Sequence, residues 1–189
     1  MVYGAASKPG YGAAVDLRLL VARAQEGERN ALEELYLLHF DRIYGYLHVT
    51  VGNRHDAEDL TTQTFLRMLE SIGRFRWQSA PFSAWLLRIA HNLAIDHFRA
   101  GRRVQAEDDV PERDEAPSAE AEALGSIGQY GMLELIDRLS PEQRQVLTLK
   151  FFLGFGSSET AGILGKSEGA VKSLQHRALA SLERQLVRS

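Results

Sequence analysis

Apolar residues recur at helical spacing through most of this chain, and nothing in it asks for strands. Asp16 is placed to cap a first helix, DLRLLVARAQ, which Gly27 ends. A longer helix over 30–51 follows, with Leu32, Leu35, Tyr36, Phe40, Ile43, Tyr44 and Leu47 at helical spacing, and Gly52-Asn53 breaks it. Asn53 caps a third helix running to Ser71, which buries Ala57, Leu60, Thr64, Phe65, Met68 and Ile72 and turns Asp59, Gln63, Leu66 and Glu70 to the other side. After the loop GRFRWQS, a fourth helix sets Phe82, Leu86, Ile89 and Leu93 within roughly 60° of one another as a core stripe. Arg88, Asn92 and Arg99 fall within about 40° on a different side, flanked by His91 and Arg102, and that side faces outward. Four helices over 15–103 make a first domain, and residues 1–14 form a loose tail.

Residues 104–127 hold two of the five prolines and a heavy acidic load, a composition that does not fold by itself and reads as a linker. About 24 residues reach roughly 80 Å when extended. A second domain spans 128–189. It starts with MLELIDRL. Ser140-Pro141-Glu142-Gln143 then offers a cap, a proline at the first helical position and a capping-box Gln, launching PEQRQVLTLKFFLG. Ser157 is expected to cap a short helix through Leu164, Gly165 to make a turn, and Ser167 to cap a long helix whose Val171, Leu174, Ala178 and Leu182 are core. Short helix, glycine turn, long helix is the helix-turn-helix pattern. The predicted fold is therefore all-α: two small helical domains joined by a flexible acidic linker.

Composition adds little until charge is placed along the chain. Hydrophobics at 44% and charged residues at 25% are ordinary for a globular protein. No run of eighteen apolar residues crosses a membrane, and the first residues lack the apolar stretch of a secretory signal. Zero cysteines exclude disulfides and thiolate metal sites and fit a cytoplasmic location. A net charge of −3 argues at first against a nucleic-acid partner, but residues 105–122 alone carry −7, leaving the rest at +4. Residues 72–103 hold six Arg and one acid, a local positive field suited to phosphate.

Each candidate surface has a plain alternative. The basic side of the fourth helix is a phosphate- and base-reading face, with Asn92 suited to a base edge, or else a solvated helix face. Leu66 among acids is a docking point for a protein, or one ordinary exposed leucine. Phe75 and Trp77 with Arg74 and Arg76 combine flat faces with charge, as used to hold unpaired bases, or else the aromatics tuck into the core. In the last helix Lys172, His176 and Arg177 reach phosphates, and Glu168 is placed to accept from a cytosine amino group. Six histidines yield no metal site: His91 and His97 lie six apart on opposite sides of one helix. Neither a Gly-rich phosphate loop nor a nucleophile elbow is present, and Asp96 is placed for an ion pair with an Arg, so no enzyme activity and no cofactor are expected.

DAEDLTTQTFLRMLESIGRFR followed by APFSAWLLRIAHNLAIDHFRAGRR strongly resembles the promoter-melting domain of bacterial sigma factors of the extracytoplasmic-function group, over about fifty consecutive positions. DLRLLVARAQEGERNALEELY resembles the opening of the same family, and the helix-turn-helix resembles its upstream-promoter domain. The resemblance implies a promoter-specificity subunit with core RNA polymerase (clamp and flap) and promoter DNA as partners, an anti-sigma factor as a further partner that no residue by itself shows, and a monomer when free. It places Asp59, Gln63, Leu66 and Glu70 on polymerase. It places Arg74, Phe75, Arg76, Trp77, Gln78, Ser79, Arg88, His91, Asn92, Arg99, Arg102 and Arg103 on the downstream promoter element. The upstream element falls to Ser157, Lys166, Ser167, Glu168, Gly169, Lys172, Ser173, His176 and Arg177. The chain departs from the family at Ala80 and Pro81, at Thr160 and Gly162, and at Leu174 and Gln175, where the family commonly has a basic and then an apolar residue. The rival readings are a dimeric helix-turn-helix regulator that never touches polymerase, and a helical adaptor without DNA.

Overall fold

Several of the described helices start where a side chain relieves their first free amides. The computed structural model describes residues 16–77, 80–105, 136 and 138–186, leaving out the side chains of 102–105. In helix α1 (Leu17–Gln25), the Asp16 carboxylate accepts from the amides of Arg18 at 3.0 Å and Leu19 at 3.3 Å. Helix α2 (Arg29–Val51) stops at Gly52, whose φ of 74° is the left-handed turn glycine adopts without strain. The Asn53 side chain accepts from the Asp56 amide at 3.0 Å to start α3 (Arg54–Ser71), which a 3₁₀ turn (Ile72–Arg74) closes. Helix α4 (Phe82–Gln105) ends the first half.

In the second half Ser140 and Gln143 form the reciprocal capping box, at 3.4 and 3.2 Å, of α5 (Pro141–Leu147). Helices α6 (Ser157–Leu164) and α7 (Glu168–Leu186) meet at Gly165, φ 62°, and the Ser167 hydroxyl accepts from the Ala170 amide at 3.2 Å. One cap differs from expectation. Gly156, not Ser157, precedes α6, and its amide is taken at 2.8 Å by the Glu159 carboxylate. A glutamate at the third helical position can reach back whatever the cap residue carries, so Ser157 becomes the first helical residue. The helix expected to run through Leu153 also changes character. After Leu147 it becomes a π turn over Thr148–Phe152, which sends Leu149 into the core and leaves Phe151 and Phe152 exposed. Among the described residues there is no strand, and no helix is long and apolar enough to cross a membrane.

The N-terminal core is built on α2 and α4. Leu35, Ile43, Tyr46 and Leu47 of α2 are wholly buried against Phe82, Leu86, Leu87, Ala90 and Ala94 of α4, with Leu60, Phe65 and Met68 of α3. Each fully buried Leu or Ile contributes on the order of 2 kcal/mol. The α4 stripe is rotated from the one the wheel predicts: Ile89 and Leu93 are half-buried, while Leu87, Ala90 and Ala94 are interior. The reason is that α4 is covered on two sides, by α2 and α3 and by α6. A helix packed from two directions needs a wider apolar arc than one stripe.

The helix-turn-helix packs as one unit with that core. Val146, Leu149, Phe155, Ala161, Ile163, Leu164, Val171 and Leu174 belong to the same continuous apolar cluster as the N-terminal residues. Leu139, Leu147 and Ala178, with Leu182 packed against them, form a small separate cluster.

Three changes test this packing. His39 is buried, its Nε2 has no hydrogen-bond partner, and burial assisted by the nearby Arg42 charge lowers its pKa to about 4. The unfolded chain takes up that proton near pH 6.5, so stability falls as pH drops from about 6.5 to about 4, by at most about 3 kcal/mol. Urea denaturation across that interval will show a flatter pH dependence in His39→Leu than in the native chain. Thr160 is completely buried with an unpartnered hydroxyl, so the near-isosteric Thr160→Val is expected to stabilise by about 1 kcal/mol in the same assay. Leu174 is 5% exposed, so Leu174→Arg forces a cation into the core and is expected to lose about 3 kcal/mol or more.

Candidate functional site

Two surfaces of unlike chemistry are carried by α3 and α4. On α3 the inward side, Ala57, Leu60, Thr61, Thr64, Phe65 and Met68, is buried, which turns Asp59, Gln63, Leu66 and Glu70 outward together. All four are exposed, and Leu66 at 53% is joined by exposed Leu69. Leu37 and Leu38 on α2 are exposed as well. The acids are partly answered locally: Arg67 bonds Glu70 at 3.0 Å, and His55 lies 3.9 Å from Asp59. What remains is an apolar patch with an acidic fringe, open to a partner.

The loop before α4 is held from behind. The Gln25 side-chain amide donates to the carbonyls of Ile72 at 2.9 Å and Phe75 at 2.8 Å, and the Arg18 guanidinium lies 5.1 Å from the Trp77 ring. Phe75 does not offer a free face. It is 6% exposed and packs edge-on against Trp77 at 5.1 Å and Phe82 at 5.2 Å, with Trp85 tilted beside it at 5.1 Å. The placement of Phe75 on unpaired bases is corrected: four aromatics within a short stretch satisfy one another first. Trp77 is half-buried, Arg74 and Arg76 are exposed, and one Arg76 nitrogen is held by the carbonyls of Gly73 and Phe75 at 3.0 and 2.8 Å. Gln78 and Ser79 lie outside the described residues.

On α4, Arg88, Asn92 and Arg99 are exposed in one row, as their spacing predicts. Arg99 pairs with Asp96 at 3.4 Å, the structural ion pair expected of that acid. His91 departs from expectation. It is 6% exposed, its Nδ1 is 3.0 Å from the Tyr46 hydroxyl, and burial together with the nearby Lys166 charge lowers its pKa. A neutral imidazole facing the core supports α4 instead of touching phosphate. The side chains of Arg102 and Arg103 lie outside the described residues, as do most of the acidic segment 104–127 and the tail 1–14.

In the helix-turn-helix, Ser167, Glu168 and Gly169 stand exposed at the start of α7, with Lys172, Ser173, His176 and Arg177 exposed after them. Val171, Leu174 and Ala178 are buried on the opposite side, so the unusual leucine at 174 is core and costs the outer face only a cation. Two of the expected contact residues are otherwise engaged: Lys166 bonds Glu142 at 2.7 Å, and the Ser157 hydroxyl receives the Lys150 ammonium at 3.0 Å. Thr160 and Gly162, the other departures, are a buried residue and an exposed one beside which an added Cβ would meet nothing. Gln25, Arg18 and Tyr46 act as supports that no periodicity reveals, because their partners are 45 to 59 positions away in sequence or known only from folding.

These surfaces coincide with two family regions. Residues 35–104 match the model of sigma-70 region 2, and residues 131–182 match sigma-70, region 4. The chain is 42% identical over 170 residues to the ECF RNA polymerase sigma factor BldN of Streptomyces coelicolor, a match that covers 88% of this chain and 64% of that protein. It is 34% identical over 178 residues to the sigma factor SigD of Mycobacterium tuberculosis, covering 90% of this chain and 84% of that one. Among solved structures, the sigma factor RpoE of Bartonella quintana, in complex with the anti-sigma factor NepR, superposes with a TM-score of 0.70 at 27% identity, over 82% of this chain and 95% of that one. The chain belongs to the extracytoplasmic-function group of the sigma-70 family, the subunits that give bacterial RNA polymerase its promoter specificity.

Proposed function

We propose that the two surfaces divide the work of initiation: the apolar and acidic side of α3 holds core polymerase, and the basic side of α4 with its preceding loop opens the downstream promoter element. Asp59, Gln63, Leu66 and Glu70 meet the polymerase clamp. Arg74, Arg76 and Trp77, with Gln78 and Ser79, receive a base drawn from the duplex, and Arg88, Asn92, Arg99, Arg102 and Arg103 hold the strand it leaves. The start of α7, from Ser167 to Arg177, reads the upstream element in the major groove, and the C-terminal domain takes the polymerase flap. Residues 15–103 and 128–189 are then the two working units and 104–127 the tether between them. The reading places the chain in the cytoplasm, where polymerase and promoter are, and gives it no catalytic step of its own.

The observation that carries this is the row Arg88, Asn92, Arg99, exposed on a segment of net +5 while Phe82, Leu86, Leu87, Ala90 and Ala94 of α4 are buried. Drawing one base out costs a few kcal/mol. Stacking returns about 1–3 kcal/mol per base, and phosphate contacts add to it, so binding energy opens DNA without ATP. A regulator of the anti-sigma class is the competing partner we expect, as in the solved complex of the related factor.

Transcription in vitro from genomic fragments, with and without core polymerase, separates this reading from a stand-alone regulator, which binds its sites tightly by itself. Asn92→Ala is expected to reduce open-complex formation about tenfold while core affinity holds, since one base contact is worth about 1–3 kcal/mol. Leu66→Asp, at an exposed site that tolerates the change in folding, is expected to weaken core binding about tenfold or more. Retained polymerase affinity in Leu66→Asp, or lost affinity in Asn92→Ala, overturns the assignment of these faces.

A further inference from the structure

Helix α1 carries none of the residues assigned above to DNA or polymerase, yet it reaches the loop before α4 through two side chains. Its own placement is fixed, since Leu20, Val21 and Ala24 are buried in the core and the Arg23–Glu28 ion pair ties down its C-terminal end. From this anchored helix the half-buried Gln25 donates through its side-chain nitrogen to the Ile72 carbonyl at 2.9 Å and to the Phe75 carbonyl at 2.8 Å. An amide nitrogen has two protons, and both are used. Ile72 opens the 3₁₀ turn and Phe75 closes it, so one side chain spans the turn from end to end.

Neither carbonyl needs the glutamine in order to be satisfied. The Ile72 carbonyl also accepts from the Phe75 amide at 3.0 Å, and the Phe75 carbonyl from the Arg76 guanidinium at 2.8 Å. A carbonyl that keeps one good donor does not bear the cost of an orphaned polar group. What Gln25 adds is therefore a connection across 47 and 50 positions of sequence, with little effect on stability. That connection runs straight to the loop's working side chains. The Phe75 carbonyl joins Gln25 to Arg76, and the Arg18 guanidinium lies over the Trp77 ring at 5.1 Å. Arg76 and Trp77, two of the groups assigned to a base drawn from the duplex, are both aimed from α1.

We infer that Gln25 is a positioning residue for base capture: it fixes the turn from Ile72 to Phe75, and through it the aim of Arg76 and Trp77, so that the loop is shaped before DNA arrives. The inference rests on the reading of Arg74, Arg76 and Trp77 as the base-receiving loop. A loop that must be ordered on contact loses part of its binding free energy to that ordering, and a loop already held in shape does not. Only chains whose loop has the receiving shape bind a base, so loosening the turn lowers capture by the fraction that has lost it. Gln25→Met keeps the length and the helix preference of the side chain and removes both donors. Arg18→Met takes the cation from Trp77 at an exposed site in the first turn of α1, and so acts on the same loop through the other contact.

The two tryptophans of the chain, Trp77 and Trp85, both pack on Phe75, so intrinsic emission of the free chain reports on this loop. Its quenching by acrylamide is expected to rise about twofold in Gln25→Met and less in Arg18→Met, with circular dichroism unchanged. Affinity of the chain assembled with core polymerase is then measured on promoter fragments already unpaired over the downstream element, so that removing a base does not alter pairing. One nucleotide at a time, in either strand, is made abasic. With the native chain, the abasic fragment at the captured position is expected to bind about tenfold more weakly, because the stacked base is gone. With Gln25→Met the intact fragment is expected to bind about tenfold more weakly and the abasic one to lose little more, which brings the ratio of the two affinities to about one. Arg18→Met is expected to move the ratio the same way by less. A variant that only folds less well lowers both affinities and leaves the ratio at its native value. An unchanged ratio in folded Gln25→Met, or quenching identical to that of the native chain, overturns the positioning role and leaves the base-receiving loop standing. A native assembly indifferent to every abasic substitution overturns the base-receiving loop, and the positioning role with it.

Discussion

A tyrosine hydroxyl and an imidazole nitrogen, 3.0 Å apart inside the N-terminal half, set how α4 is turned about its own axis. Tyr46 is wholly buried and burial pushes its phenol pKa up, so its proton stays in place and needs a neighbour; His91 supplies one. A buried polar group left unmatched costs on the order of 1–3 kcal/mol, which strongly disfavours any rotation of α4 that parts the two. With His91 turned inward, Arg88, Asn92 and Arg99 are turned outward as a consequence. The direction in which this basic row faces is thus defined by a bond in the core.

The opposite surface follows from the same logic with weaker forces. Alternation on α3 buries one side and exposes Asp59, Gln63, Leu66 and Glu70 on the other. Pairs such as Arg67–Glu70 at 3.0 Å are solvent-exposed, add little to stability and are screened by salt, so they can be exchanged for a partner's charges at small cost. The apolar component, Leu66 and Leu69, does not depend on salt and gains most from being covered. In the proposed docking of this face on polymerase, affinity and selectivity therefore come from different atoms of one helix.

The C-terminal half shows how departures from a family pattern are absorbed. Leu174 takes a core position, and Val171 and Ala178 keep the same side of α7 buried, so the helix holds its facing without the usual cation. Its exposed row at 172, 173, 176 and 177 survives intact. The π turn before α6 is the other accommodation: six apolar residues between 146 and 153 exceed what one helix face can bury. One widened turn puts Leu149 inside and Phe151 and Phe152 out.

Helix limits, caps and the inward side of α3 were legible in the chain because they depend on neighbours three or four positions away. Asp16, Asn53, Ser140, Ser167, Gly52 and Gly165 all act where local chemistry puts them. The exposed rows on α3, α4 and α7 were legible for the same reason, and the density of motif residues from 56 to 103 pointed to the family. What the chain could not announce is which residues on the border between faces turn inward. His91 and Phe75 sit on such borders, and their burial depends on Tyr46 and on Trp77, Phe82 and Trp85 arriving from other elements. The packing of one half against the other was equally hidden, since the bond from Arg42 to Leu153 joins positions 111 apart in sequence, a distance over which periodicity carries no information.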